Sequence, residues 1–194
     1  MKKLLGLIGV ILVFGLPTLA QNRIQLGAGY AFRSFDENDD PTAPTRMNMN
    51  GFDVNGTFNV TRWFGVTGDV VGTYENQGLN GDNKLYSFMA GPRVYPLGHH
   101  RIEPYVQAEF GGSHYELDVP ADPVNMFPAF AFAQRGFAWG AGGGVNIFLG
   151  RHFGVKGQAM YEQTRFFNDP NLFPPPTAGH QNNFVFTVGP VIRF

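Results

Sequence analysis

The sequence predicts an all-β chain, specifically an eight-stranded antiparallel up-and-down transmembrane β-barrel. Three observations carry that expectation. Eight segments alternate bulky apolar residues with small or polar ones at a period of two. The connections between them alternate short and long, as in barrels with short periplasmic turns and longer outer loops. The composition is also wrong for a water-soluble domain. Charged residues are 15% of the 194, against roughly 25% in ordinary globular proteins, while aromatics reach 15% with 20 Phe.

The first element is not a strand. Lys2 and Lys3 precede an uncharged apolar run from Leu4 to Leu16. Pro17 breaks the run, and Thr18-Leu19-Ala20 places small residues where a signal peptidase cuts. The run is short for a membrane-spanning helix of about 20 residues, which disfavours an uncleaved anchor. Residues 1–20 are therefore expected to be a cleaved signal peptide and residues 21–194 the barrel, in the bacterial outer membrane. Cysteine is absent, which excludes disulfides, thiolate metal sites, a cysteine nucleophile and a lipoprotein anchor. The net charge of −1, without a Lys/Arg cluster, argues against nucleic acid as a partner.

The strands then follow in order. "IQLGAGYAF" (24–32) sets Leu26, Tyr30 and Phe32 on one face, and "FDVNGTFNV" (52–60) sets Phe52, Val54 and Phe58 against Asp53, Asn55 and Thr57. "FGVTGDVVGTY" (64–74) opposes Phe64, Val66 and Val70 to Thr67 and Asp69, and "YSFMAGPRV" (86–94) opposes Tyr86, Phe88 and Val94 to Ser87 and Arg93. "PYVQAEFGG" (104–112) sets Val106 and Phe110 against Tyr105, Gln107 and Glu109, and "FAWGAGGGVNI" (137–147) sets Phe137, Trp139 and Ile147 against small residues and Asn146. "VKGQAMYE" (155–162) opposes Val155 and Tyr161 to Lys156, Gln158 and Glu162. The eighth segment, "NNFVFTVGPVIRF" (182–194), opposes Phe184, Phe186, Val188, Ile192 and Phe194 to Thr187 and Arg193. Its pairing with the first segment would close the sheet and leave no edge. Pro190 within it removes a ladder donor, so a bulge or a missing bond is expected beside it.

Short connections fall near Thr61-Arg62, at "PLGHHR" (96–101) and at "LGRH" (149–152). Long ones are expected over residues 36–48, 75–84, 116–135 and 168–181. Within the third of these, Phe130 and Phe132 have the opposite parity to Phe137 and Trp139, which predicts a bulge near Gln134-Arg135-Gly136. The acidic run 36–40 lacks the glycine spacing of a calcium loop and reads as a solvated loop. Divalent-ion bridging to lipopolysaccharide is its minor alternative. Pro174–Pro176 stiffen the last loop.

Size decides which face points out. An eight-stranded barrel has an interior only wide enough for side chains, and the apolar parity carries far too many rings to fit there. The aromatic parity is thus expected to face lipid. The lumen is expected to hold Asp53, Asp69, Arg93, Glu103, Glu109, Lys156, Glu162 and Arg193, paired into a polar plug because a lone buried charge is costly. The alternative is a gated narrow pore whose ion pairs exchange partners.

The phrases "TRWFGVTGDV", "SFMAGPRVYP", "IEPYVQAEFGG", "WGAGGGVNIFL" and "VGPVIRF" resemble the outer-membrane β-barrel domain family, which is related to the transmembrane domain of OmpA. The resemblance spans residues 21–194. It implies the barrel fold and no shared catalytic residues. The peptidoglycan-binding domain that follows the OmpA barrel has no counterpart in this sequence, so a barrel without that domain is expected. Phe194 resembles the terminal signal read by the outer-membrane assembly machinery.

Function is less legible. The leading expectation is a structural or surface-interaction role through the long loops, as a monomer. Its partners would be outer-membrane lipid and lipopolysaccharide, the assembly machinery and periplasmic chaperones, with no cofactor and no metal. A narrow channel or a carrier for small molecules, apolar ones included, is the alternative. A lipid-modifying enzyme is the third reading. It would need a Ser–His–carboxylate cluster, yet Ser113 and His114 are adjacent on a strand and point to opposite faces. The other candidates are Glu116 and His180, while His99, His100 and His152 fall at the short-turn end.

Overall fold

The computed structural model describes residues 23–36, 46–76, 82–121, 129–166 and 180–194. The proposed signal peptide, most of the acidic run and Pro174–Pro176 lie outside the described residues. Eight strands form one closed antiparallel barrel in sequence order. They are β1 (Ile24–Asp36), β2 (Arg46–Asn59), β3 (Phe64–Asn76), β4 (Asp82–Val94), β5 (Ile102–Val119), β6 (Phe130–Phe148), β7 (Phe153–Phe166) and β8 (His180–Arg193). β1 pairs with both β2 and β8, so the sheet has no free edge.

The strands run further outward than alternation alone suggests. Residues 46–48, expected in a loop, belong to β2. Asn76 ends β3, Asp82 starts β4, and residues 116–119 and 130–135 extend the β5–β6 hairpin. Continuous cross-strand pairing satisfies the backbone there and overrides the polar, Pro-rich composition. The bulge expected near Gln134 is absent. The β5–β6 register is unbroken from Ile102↔Ile147 to Val119↔Phe130. Phe132 simply lies on the inward parity with Gln134, edge-on to the Tyr115 ring at 6.4 Å. The lumen accepts a ring there because its outer end is apolar, as described below.

Pro190 interrupts the ladder and produces no bulge. The β1–β8 ladder runs from Gln25↔Arg193 to Gly27↔Val191, skips two pairs, and resumes at Tyr30↔Val188 in the same register. A side chain at Gly189 would collide with the Ala28 carbonyl, so glycine lets the two strands stay in contact across the gap. Pro92 behaves alike: the β4–β5 ladder lapses between Ala90↔Phe110 and Arg93↔Gln107 without slipping.

The wall is apolar outside. Phe88, Phe110, Phe186 and Val188 are each at least half exposed, which only a lipid environment makes favourable. Rings chain together toward the long-loop end: Phe52 touches Tyr74, Tyr74 touches Tyr86, and Trp139 touches Tyr161, which touches Phe184, with centroids 5.6–6.3 Å apart. At the other end Trp63, Phe64, Phe153 and Phe194 are exposed. These two bands occupy the positions of interface girdles. The turns at this end are tight. The Thr61 hydroxyl accepts from the Trp63 and Phe64 amides, and Gly98 adopts a positive φ of 69° in the β4–β5 turn.

Candidate functional site

The lumen collects the chain's buried polar chemistry. Successive inward positions on all eight strands project into a space one or two side chains wide, so charges from distant strands meet across it. Asp53, Asp69, Arg93, Glu103, Glu109, Lys156 and Glu162 are all buried there. Arg193 is partly exposed at the short-turn rim.

Three ion pairs cross the barrel at different levels. Nearest the short turns, Arg193 Nη1 donates to Glu103 Oε1 at 2.7 Å, and Gln25 Nε2 donates to Glu103 Oε2 at 2.9 Å. The same guanidinium donates to the carbonyls of Arg151 and His100 at 2.8 and 3.2 Å and lies 3.8 Å over the Phe148 ring. Tyr95, folded inward from the β4–β5 turn, donates to Gln25 Oε1 at 3.2 Å. In the middle, Lys156 Nζ binds Asp53 Oδ1. Further out, Arg33 grips Glu162 with both terminal nitrogens, at 3.0 and 3.2 Å. Ser87 Oγ accepts from Arg33 at 2.9 Å and donates to Glu162 at 2.6 Å, which ties β1, β4 and β7 together.

The remaining charges meet through glutamines. Gln107 accepts from Arg93 Nε at 2.7 Å, and its amide nitrogen donates to Glu109 at 3.0 Å and Asp69 at 3.3 Å. Gln158 donates to Asp69 at 3.3 Å and accepts from the Tyr105 hydroxyl at 2.9 Å. The Arg93 guanidinium also lies 4.2 Å over the Tyr105 ring. One amide thus joins an arginine to two carboxylates, Asp69 and Glu109, that form no ion pair among the described residues.

The outermost level is different. Phe35, Met47, Met49 and Leu85 form a buried apolar cluster with Tyr115 packed on it. Phe35 and Tyr115 stack at 5.9 Å, 8° from parallel. A purely polar plug was expected, yet Ala31, Val71, Met160 and Val185 also form an apolar layer among the ion pairs; for the outermost cluster the physical reason for the difference is positional. These residues lie beyond the segments that alternation delimits, where inward side chains seal the mouth and need no partner. Arg33 was missed for the same reason. The first segment stops at Phe32, yet continuing its odd parity by one residue turns Arg33 inward.

Ser113 is buried in the lumen wall, while the neighbouring His114 faces outward and meets Glu116 at 2.9 Å. The two therefore do not form a nucleophile–base pair. Among the described residues, no three His, Asp or Glu side chains are placed to hold a metal ion.

Several solved outer-membrane barrels share this fold. Ail, the attachment invasion locus protein of Yersinia pestis, solved with the heparin analogue sucrose octasulfate, is similar at TM-score 0.60 and 18% identity, over 88% of this chain and 97% of Ail. Neisserial surface protein A is similar at TM-score 0.67 and 12% identity, over 88% and 97%. OprG of Pseudomonas aeruginosa is similar at TM-score 0.52 and 13% identity, over 90% and 97%. No curated protein matches the sequence. The family description "outer membrane protein beta-barrel domain" matches residues 7–194. With the closed eight-stranded barrel and its lipid-facing aromatic bands, that match makes this chain a member of the outer membrane protein β-barrel domain family, at home in the bacterial outer membrane.

Proposed function

We propose that the protein is a monomeric closed-lumen barrel whose work is structural or lies in surface interactions through its long loops. One observation carries this reading. The lumen is crossed at successive levels by Arg193–Glu103–Gln25, Lys156–Asp53 and Arg33–Ser87–Glu162, and the Phe35–Met49–Leu85 cluster covers them. An ion passing through would have to separate each buried pair in turn, stranding charges at a cost of several kcal/mol. The test is conductance of the refolded protein in planar bilayers. A closed lumen gives a flat trace, and steady single-channel steps would sink the reading.

A carrier for small apolar molecules is the second reading, supported by the apolar outer mouth. Two methionines there, Met47 and Met49, provide the adaptable packing that such cargo needs. Uptake of an apolar dye into proteoliposomes above the protein-free background would favour it over the first.

The same proposal includes export with removal of residues 1–20, escort by periplasmic chaperones, and insertion by the assembly machinery through Phe194. Terminal sequencing of the protein from outer membranes should begin at Gln21.

A further inference from the structure

We propose that the outer wall at β5–β7 binds one phosphorylated glycolipid of the outer leaflet, holding its phosphate with Arg135 and Arg165 and an acyl chain in a hollow over Gly112. This goes beyond the closed-lumen reading and does not depend on it.

The placement comes from register. Phe110 pairs with Trp139 and Gly112 with Phe137, near the upper limit of the apolar band, and His114 pairs with Arg135 one step further out. Phe137 also pairs with Arg165 across β6–β7. Arg135 and Arg165 are thus diagonal neighbours on the same face, about 7–8 Å apart at their backbones. Both are exposed, at the level where lipid headgroups begin.

Charge matching singles these two out. The carboxylates of the neighbouring rim already have partners: Glu116 meets His114 at 2.9 Å, and Asp118 meets Lys84 at 2.8 Å. Arg46, another outer arginine, lies 5.3 Å over the Phe184 ring and donates to Ser34. Arg135 and Arg165 make no ion pair or hydrogen bond among the described residues. Two unmatched guanidiniums at one spot fit a phosphate, which they bind as planar forks.

Shape supplies the rest. Beside Arg135 the wall has a hollow of about 440 Å³, walled by Tyr86, Phe88 and His114 and floored by Gly112 and Gly136. A strand glycine commonly marks close approach of another backbone or of a ligand. No backbone crowds Gly112: an added Cβ would meet nothing nearer than a carbonyl oxygen at 3.6 Å. The space faces lipid, is lined by rings and by Arg135 itself, and Arg165 stands one strand further round, across Phe137 from Gly112. An acyl chain attached to a phosphorylated headgroup satisfies both halves of the site.

The test uses the full mature protein in phosphatidylcholine nanodiscs doped with lipid A, either bisphosphorylated or enzymatically stripped of both phosphates. Native mass spectrometry reads the fraction of protein that retains a lipid. The wild type should retain the phosphorylated form, and stripping should weaken retention about tenfold, the equivalent of about 1.4 kcal/mol. R135Q/R165Q should lose the difference between the two forms. Gly112→Leu should weaken both forms by filling the hollow. Folding is checked by heat-dependent migration on gels, and the arginine variant keeps the proposal testable if Gly112→Leu does not fold. Equal retention of both lipid forms, or no change in R135Q/R165Q, overturns the proposal. So does displacement of the lipid by millimolar inorganic phosphate alone, which would make this a site for any free anion.

Discussion

The inner and outer ends of the lumen are closed by opposite means. Below, closure is mainly ionic, with one apolar layer of Ala31, Val71, Met160 and Val185 between the pairs: Arg33 with Glu162, Lys156 with Asp53 and Arg193 with Glu103, each joining strands far apart in sequence. Above, it is apolar, with Phe35, Met47, Met49 and Leu85 filling the mouth. A buried charge tolerates few partners, so the lower levels fix which strands face each other. An apolar cluster accepts many packings, so the mouth seals without dictating register. The contrast teaches that position in the lumen, and not the barrel as a whole, decides whether an inward residue specifies the fold or only fills it.

Mutations should separate the two ends. Arg33→Met leaves Glu162 buried and unpaired, and should cost about 3–5 kcal/mol in urea unfolding of the refolded protein. The double variant R33M/E162L should recover most of that loss, because the cost lies in the stranded charge. Arg93→Ala removes the bond to Gln107 and the stacking on Tyr105, and should cost about 2–3 kcal/mol. Its unfolding temperature should fall well below that of the exposed turn-charge control Arg151→Ala, and equal shifts would deny Arg93 a role in the plug. Leu85→Ala should cost about 2 kcal/mol, at the low end for such truncations, because Met47 and Met49 can relax into the space. If Leu85→Ala proves costlier than Arg33→Met, the ionic levels are not what holds the register.

The smallest effect on stability is expected at the last residue. Phe194 is half exposed and exchanges backbone hydrogen bonds with Ile24. Its deletion should cost under about 1 kcal/mol in folded protein, as a surface change does, yet sharply lower the yield inserted into the outer membrane of cells. Equal losses in the two measurements would reduce Phe194 to a lipid anchor.

Much of this was legible in the sequence because β geometry writes one side chain in two to each face. Alternation and the excess of rings identified the lipid face, and the inward side of Asp53, Arg93 and Lys156 followed from parity alone. What parity cannot supply is the partner. Nothing local to Arg33 names Glu162, which reaches it only because closure brings β7 across the lumen. Strand ends were illegible for a related reason. Alternation fades where both faces leave the bilayer, so Met47 and Phe132 read as loop and Phe35 falls past the end of the first segment, although cross-strand pairing continues through all three.

Arg193 carries one more consequence. It is the final residue of β8, and its guanidinium binds Glu103, the backbone of His100 and the backbone of Arg151. Those groups come from the β4–β5 and β6–β7 turns and the start of β5, so this clasp forms only when β8 docks. Without β8, Glu103 stays buried without its arginine and β1 lacks one of its two neighbours. Seam closure and neutralisation of Glu103 are therefore one event: the strand that zips the barrel also delivers the missing positive charge.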